Sequence, residues 1–169
     1  MDKAQREVKS FTQKTNILIV DDDNELRKTL SEILKKEGWY VSTAENGKQA
    51  LKASMQVHFN IALIDIRLPD MTGIEILRKL RRTEPNMVKI LITGYPTLET
   101  AVEAVNKEAD GYILKPFNPE KLLALIKEHL KKQRENAAYS EQKVTEFIES
   151  RVRELEKERL KIQNNSKDC

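Results

Sequence analysis

Four apolar runs in this chain end in residues able to do chemistry together. Asp21-Asp22-Asp23 follow the first run, Asp65 ends the next, Thr93-Gly94 end a third and Lys115-Pro116 end a fourth. Two carboxylates brought to about 4 Å repel by ~4 kcal/mol at an effective dielectric of about 20. A hard divalent cation offsets that repulsion. Mg²⁺ suits such a site best, because it takes one or two carboxylates, keeps waters and accepts phosphate oxygens. Lys115 brings a mobile point charge for a carboxylate or a phosphoryl oxygen. The Thr93 hydroxyl can donate to the same oxygen, and Gly94 leaves room for it. One aspartate can then attack phosphorus and carry an aspartyl phosphate, with catalysis by positioning and charge neutralisation.

These residues meet only if the fold gathers them. Five short runs read as strands, at residues 17–20, 39–43, 61–64, 89–93 and 112–114. Three are continuous Ile/Leu/Val-rich runs, the pattern of parallel strands covered on both faces. Helical stripes alternate with them: Leu26, Leu30, Ile33 and Leu34; Ala50, Leu51 and Met55; Ile74, Leu77 and Leu80; Leu98, Ala101, Val102 and Val105; Leu122, Leu123, Ile126 and Leu130. Gly38, Asn46-Gly47 and Pro96 punctuate the turns, and Pro119 suits the first turn of the fifth helix. The repeated βα order predicts an α/β, flavodoxin-like, doubly wound (βα)5 sandwich with right-handed crossovers. With strand order 2-1-3-4-5, strands one and three flank the switch point, where ligands bind beyond the carboxyl ends. Asp21, Asp22 and Asp65 would meet there, with Thr93 and Lys115 beside them.

Composition narrows the rest. Of 169 residues, 34% are charged and 39% hydrophobic, and 30 basic against 27 acidic residues leave a net charge of only +3. That balance gives no strong polyanion-binding signal. The longest apolar run is five residues, 122–126, far below the ~20 of a membrane span. The first fifteen residues, polar and mixed in charge, read as no secretory leader, and the single cysteine, Cys169, has no internal partner, so the chain reads as cytoplasmic. One Cys and the separated His58 and His129 exclude a Cys/His metal cluster; both histidines read as surface residues and Trp39 as packing.

Taken in order, Ile17-Leu18-Ile19-Val20-Asp21-Asp22-Asp23, Ile64-Asp65-Ile66-Arg67-Leu68-Pro69-Asp70-Met71-Thr72-Gly73, Leu91-Ile92-Thr93-Gly94-Tyr95 and Gly111-Tyr112-Ile113-Leu114-Lys115-Pro116-Phe117 resemble the receiver domain of two-component response regulators. Each motif alone is weak; an acidic run after a strand is commonly a cap and a solvated turn. The ordered set is specific, and it covers residues 16–132. The resemblance implies that Asp65 is the phosphoacceptor, served by a sensor histidine kinase or a histidine phosphotransfer protein. Asp21 and Asp22 would bind Mg²⁺ together with Asp65 and the backbone carbonyl of Arg67. Thr93 would be the switch hydroxyl, Tyr112 the aromatic that reports the state, and Lys115 the contact to the phosphoryl group. Arg67 and Tyr95, two residues beyond Asp65 and Thr93, would tune the phosphoryl lifetime. The Lys115–Pro116 bond would be cis. Beyond phosphorylating and dephosphorylating itself, such a domain is not an enzyme.

A rival is the Asp-x-Asp opening of haloacid-dehalogenase-like phosphohydrolases, which the first motif also resembles. There Asp21 would be the nucleophile and Asp23 the acid/base. Glu25 stands where Thr or Val is usual, no acidic pair follows a late strand, and Asp65 is left without a role. Asp23 reads instead as a helix-start residue or a surface acid, with Asn24 an equal candidate cap.

The chain divides into a polar leader (1–14), the receiver (15–132) and a charged tail (133–169) holding a helix at about 136–163. Residues 131–169 carry ten Lys/Arg and eight Asp/Glu. Only 37 residues follow Lys132, too few for a winged-helix module or an ATPase, so the chain reads as a stand-alone receiver with a helical extension. Ala137, Val144, Ile148, Val152, Leu155 and Ile162 fall near a 3.6-residue period. As heptads, Ile148, Leu155 and Ile162 share one seam position, while Val144, Arg151 and Glu158 degrade the other. The helix reads as a surface for a homodimer or a partner protein, hinged at 131–135 or continuous with the fifth receiver helix. Output would run through the face of helix four, strand five and helix five and through this tail. The alternative is a phosphorelay shuttle with an inert tail. Acids interleaved among the tail's basic residues argue against nucleic acid, and no membrane contact is expected.

Overall fold

The computed structural model describes the backbone of residues 14–165 and side chains as far as residue 159. The polar leader up to residue 13, the Ile162 side chain and Cys169 lie outside the described residues. Among the described residues, five strands alternate with five helices: β1 (Asn16–Val20), α1 (Asn24–Lys36), β2 (Tyr40–Ala44), α2 (Gly47–Gln56), β3 (Ile61–Asp65), α3 (Gly73–Thr83), β4 (Val88–Thr93), α4 (Leu98–Asn106), β5 (Gly111–Leu114) and α5 (Pro119–Asn165). The strands form one parallel sheet in the order β2-β1-β3-β4-β5. This is the expected doubly wound α/β, flavodoxin-like architecture with a long C-terminal helix.

The central strands are buried because their sequences have no polar face. Every residue of β3 and β4 is buried, as are the last four of β1. Ile17, Ile61, Ile64, Leu91 and Leu77 are fully buried, each stabilising the fold by ~1.5–3 kcal/mol. Edge strand β2 is mostly exposed, which matches its mixed YVSTA sequence.

Local chemistry fixes the helix ends. The Asp23 carboxylate caps α1 by accepting from the N–H groups of Glu25 and Leu26 at 3.0 and 3.1 Å. The helix closes at Gly38, whose φ of +82° lies in the left-handed region that favours glycine. Thr72 and Glu75 make a reciprocal capping box at the start of α3, and Thr97 with Thr100 does the same for α4.

One stripe differs from the reading of the sequence. α4 forms, but Leu98 is 77% exposed, Val105 76% and Val102 49%, while Ala104 is its buried residue. The helix packs through small side chains and leaves its large apolar ones outside.

The chain separates into two compact units, 1–127 and 128–169. The second is helical through its described part, and residues 131–135 are helical like their neighbours. Within it Tyr139, Val144, Phe147, Ile148, Val152 and Leu155 are all exposed, and Glu149 pairs with Arg153 at 3.2 Å. No described helix is long and apolar enough to cross a membrane.

Candidate functional site

Asp21 leaves β1 with its N–H donating to the Ala44 carbonyl at 3.1 Å, so the ends of β1 and β2 are pinned together. Its carboxylate is buried, and Oδ1 accepts from the Asp23 N–H at 2.9 Å. Arg27 donates to the Asp21 carbonyl at 2.6 Å. Asp22 is exposed on the same turn. Asp23 caps its own helix through Oδ1, the helix-start role expected of it.

Asp65 ends β3, next to β1 in the sheet. Its Oδ1 accepts from the Arg67 N–H at 3.3 Å. The chain then turns back so tightly that a Cβ on Gly73 would lie 2.2 Å from the Asp65 carbonyl oxygen. Only glycine fits that approach. Gly73 N–H donates to the Ile66 carbonyl at 2.8 Å and an antiparallel bridge joins Arg67 to Thr72, closing the base of the β3–α3 loop.

Lys115 joins the two acids. Its Nζ donates to Asp21 Oδ2 at 2.6 Å and to Asp65 Oδ2 at 3.3 Å. Burial pulls the ammonium down, but the Asp21 bond and both negative charges outweigh it and hold its pKa above the usual lysine value. Asp65 moves up from the usual carboxylate value, through burial first and then the Asp21 charge, with Lys115 and the Arg67 N–H opposing. The Lys115 N–H donates to the Thr93 carbonyl at 2.8 Å, and the Lys115–Pro116 peptide is cis, as expected.

Thr93 is fully buried, and its hydroxyl oxygen accepts from the Tyr95 N–H at 3.1 Å. Gly94 needs no special room, since a Cβ there would meet the Lys115 side chain no closer than 3.8 Å. Tyr112 is half-buried, with its hydroxyl 3.3 Å from the Thr100 hydroxyl. The Arg67 guanidinium lies 4.1 Å from the centroid of the exposed Tyr95 ring.

Asp21, Asp22 and Asp65 offer carboxylate oxygens that all lie within 4.8 Å of one another. The donor set is oxygen only, with two acids buried, one open to solvent and a single ammonium shared between two of them. Such a set fits a hard divalent cation that keeps waters, as Mg²⁺ does. The fold thus gathers Asp21, Asp22, Asp65 and Lys115 at the carboxyl ends of β1, β3 and β5, with Thr93 at the end of β4. Arg67 and Tyr95 meet each other at its edge, and Tyr112 turns toward α4.

Three residues that the sequence did not single out matter here. Gly73 makes the tight return under Asp65. Asp70, at the tip of the β3–α3 loop, accepts from the N–H groups of Gly47 and Lys48 at 2.8 and 2.9 Å. Lys89, fully buried at the other end of the sheet, donates to the carbonyls of Glu84 and Met87. A Pro-Asp pair in a loop and a lysine opening an apolar run were the only signals, and neither points to these partners.

A family model described as the response regulator receiver domain matches residues 17–127. The chain is 38% identical over 123 residues to the regulatory protein AtoC of Escherichia coli (strain K12), covering 73% of this chain and 27% of AtoC. It therefore spans about a quarter of that relative's length. Among solved structures it resembles a CheY-like response regulator receiver domain protein from Methanospirillum hungatei JF-1, with 44% identity and a TM-score of 0.72 over 73% of this chain and 99% of that one. It also resembles the response regulator TrrA from Thermotoga maritima in complex with Mg(2+)-BeF, with 32% identity and a TM-score of 0.62 over 68% of this chain and 98% of that one.

Proposed function

The chain belongs to the response regulator receiver domain family of two-component signalling, and from that premise we propose that it accepts a phosphoryl group on Asp65 in a Mg²⁺-dependent reaction. The observation that carries this is the Lys115 ammonium held between Asp21 and Asp65, beside the exposed Asp22. In the transfer, an Asp65 carboxylate oxygen forms the new P–O bond as the P–N bond of a donor phosphohistidine breaks, and the leaving imidazole takes up a proton. Asp21, Asp22, Asp65 and the Arg67 carbonyl would hold Mg²⁺, which would supply neutralisation of phosphoryl charge. Lys115 pairs with a phosphoryl oxygen instead of two carboxylates. The Thr93 hydroxyl, whose oxygen accepts from Tyr95 N–H, keeps its own proton to donate toward the same group.

The donor in this reading is a sensor histidine kinase or a histidine phosphotransfer protein, and the reaction takes place in the cytoplasm. Tyr112 follows Thr93 as the reporting aromatic. The Arg67–Tyr95 stack covers the edge of the site and slows water attack on the acyl phosphate. Output runs through protein contacts of the α4–β5–α5 face, where Leu98, Val102, Val105 and Leu114 are exposed, and through the exposed stripe of the C-terminal helix.

Incubation with a small-molecule phosphodonor such as acetyl phosphate and Mg²⁺, followed by site mapping, tests the chemistry. Label is expected on Asp65, absent from Asp65→Asn and absent in EDTA. Label on Asp21 with none on Asp65 would overturn the assignment. For the output, light scattering of the full chain with and without BeF₃⁻ should show a mass change that Ile148→Glu with Leu155→Glu removes. Equal masses in all samples would leave the relay-shuttle reading in its place.

A further inference from the structure

Asp70 lies three residues beyond Arg67, at the far tip of the loop that leaves the phosphoacceptor strand, and its side chain is bonded to the start of α2. Both carboxylate oxygens are used: Oδ1 accepts from Gly47 N–H at 2.8 Å and Oδ2 from Lys48 N–H at 2.9 Å. These are the first two residues of α2, whose own cap is Asn46, accepting from Gln49 N–H at 2.9 Å. Asn46 and Asp70 therefore divide the orphan N–H groups of this helix between them. The Gly47 bond comes first among the causes that hold the Asp70 carboxyl below the usual range, so the ionised form is the one that clamps. Contact at the tip is close as well, since a Cβ on Gly47 would lie 2.4 Å from Met71 Cγ.

These bonds complete a ring. Asp21 N–H is tied to the Ala44 carbonyl at the end of β2, and Ala44 leads through Glu45 and Asn46 to Gly47 and Lys48. Those two amides hold Asp70, and Asp70 leads back through the loop to Arg67, whose N–H is on Asp65 Oδ1. At its base the loop is closed by the Arg67–Thr72 bridge and Gly73. At its tip it is held by Asp70.

We propose that Asp70 is a positioning residue for the cation site, fixing the Arg67 carbonyl and Asp65 against Asp21 by clamping the β3–α3 loop to the start of α2. This rests on the Mg²⁺-dependent aspartate chemistry proposed above. Asp70 touches neither the ion nor the phosphoryl group; it sets where the Arg67 oxygen stands when the ion arrives. Groups that orient metal ligands from outside commonly change metal affinity by about 10–100-fold when removed.

Calorimetric titration of the metal-free full chain with MgCl₂ tests this, with acetyl phosphate labelling as a second readout. Asp70→Ala should raise the Mg²⁺ Kd about tenfold while labelling of Asp65 at saturating Mg²⁺ stays within about twofold of wild type. Asp70→Asn keeps one acceptor and should fall between. Lys48→Pro deletes one donor at a first-turn position that tolerates proline and leaves the carboxylate in place; it should weaken Mg²⁺ in the same direction, so the test survives if the alanine variant does not fold. An unchanged Kd in all variants overturns the proposal, and so does a labelling defect that saturating Mg²⁺ does not repair. A wild-type chain that takes no label on Asp65 overturns the parent reading instead, and that result appears before any variant is made.

Discussion

The two ends of the sheet each hold a lysine, fully buried at one end and partly at the other, and the two lysines are treated in opposite ways. At the carboxyl end, Lys115 stands between the carboxylates of Asp21 and Asp65, and its pKa is raised. At the amino end, Lys89 donates to backbone carbonyls of Glu84 and Met87; burial first, and then the nearby Arg81 charge, pull its pKa down to about 8. Asp110 and Glu84 oppose that shift. Each end also has an arginine. Arg67 lies on the Tyr95 ring at the edge of the acidic cluster, whereas Arg81 is bonded to the Glu108 carbonyl and faces the Glu108 and Asp110 carboxylates at 3.7 and 3.5 Å. Lys89 ties loop carbonyls together with fixed dipoles. Lys115 is a counter-ion to two carboxylates, which in the proposed chemistry a second cation or a phosphoryl group displaces. An ammonium held by charge is exchangeable; one held by carbonyls is part of the frame.

The largest test of that contrast is to remove each ammonium in turn. Lys115→Met leaves Asp21 and Asp65 facing each other and, in the proposed reaction, takes away a donor to the developing phosphoryl charge. Losing one such preorganised donor commonly costs about 10²–10³ in rate, so labelling of Asp65 by acetyl phosphate should fall by that much. Lys89→Met should label within about twofold of wild type. Comparable losses in the two variants would break the distinction.

Stability against pH reads the amino end. With a folded pKa near 8 and an ordinary value of 10.5, Lys89 binds fewer protons when folded than when unfolded between those limits. Its contribution therefore makes the protein more stable as pH rises through that window, by at most about 1.4 kcal/mol per pH unit. Urea midpoints at pH 7.5 and 9.5 should climb more for wild type than for Lys89→Met. Lys115, raised rather than lowered, has the opposite sign: its contribution is complete below the ordinary lysine value and is lost above it. A midpoint difference between wild type and Lys89→Met that does not change with pH would show that the buried ammonium carries no such cost.

Mg²⁺ should act on one end alone. At ten times its Kd, a ligand that binds the folded state adds about 1.4 kcal/mol. Melting of wild type and Lys89→Met should rise together in Mg²⁺, and Asp65→Asn should respond less than either. A rise in Asp65→Asn equal to that of wild type would place the ion elsewhere.

The same division decides what the sequence made legible. The carboxyl end was readable because its groups sit at strand ends, where the βα rule brings them together: Asp21, Asp65, Thr93 and Lys115 needed only the strand order. The core strands were readable because IALID and VKILIT carry apolar side chains on both faces. What stayed hidden depends on partners distant in sequence or on backbone. Lys89 opens an apolar run, and nothing in the run says that its Nζ turns to cap the end of α3. Asp70 reads as a turn acid until the α2 amides lie next to it. The α4 stripe showed the helix but not its orientation, because Ala101 and Ala104 compete with Leu98, Val102 and Val105 for the inward face, and small residues permit the closer approach to the sheet.

The smallest effect separates the two arginines. A cation–π contact at an exposed site is worth about 0.5–1 kcal/mol, a factor of two to five in a rate. If the Arg67–Tyr95 stack restrains water at the acyl phosphate, Tyr95→Leu should shorten the phosphoryl half-life by about that factor. Adding Arg67→Ala should then produce little further change, because the second substitution acts on a contact already lost. Arg81→Ala should leave the half-life unaltered and lower the urea midpoint instead, since it frees Asp110 and the Glu108 carbonyl at the opposite end. A longer half-life in Tyr95→Leu would mean that the freed guanidinium reaches the phosphoryl group and shields it, so that the ring holds Arg67 away from its more protective position.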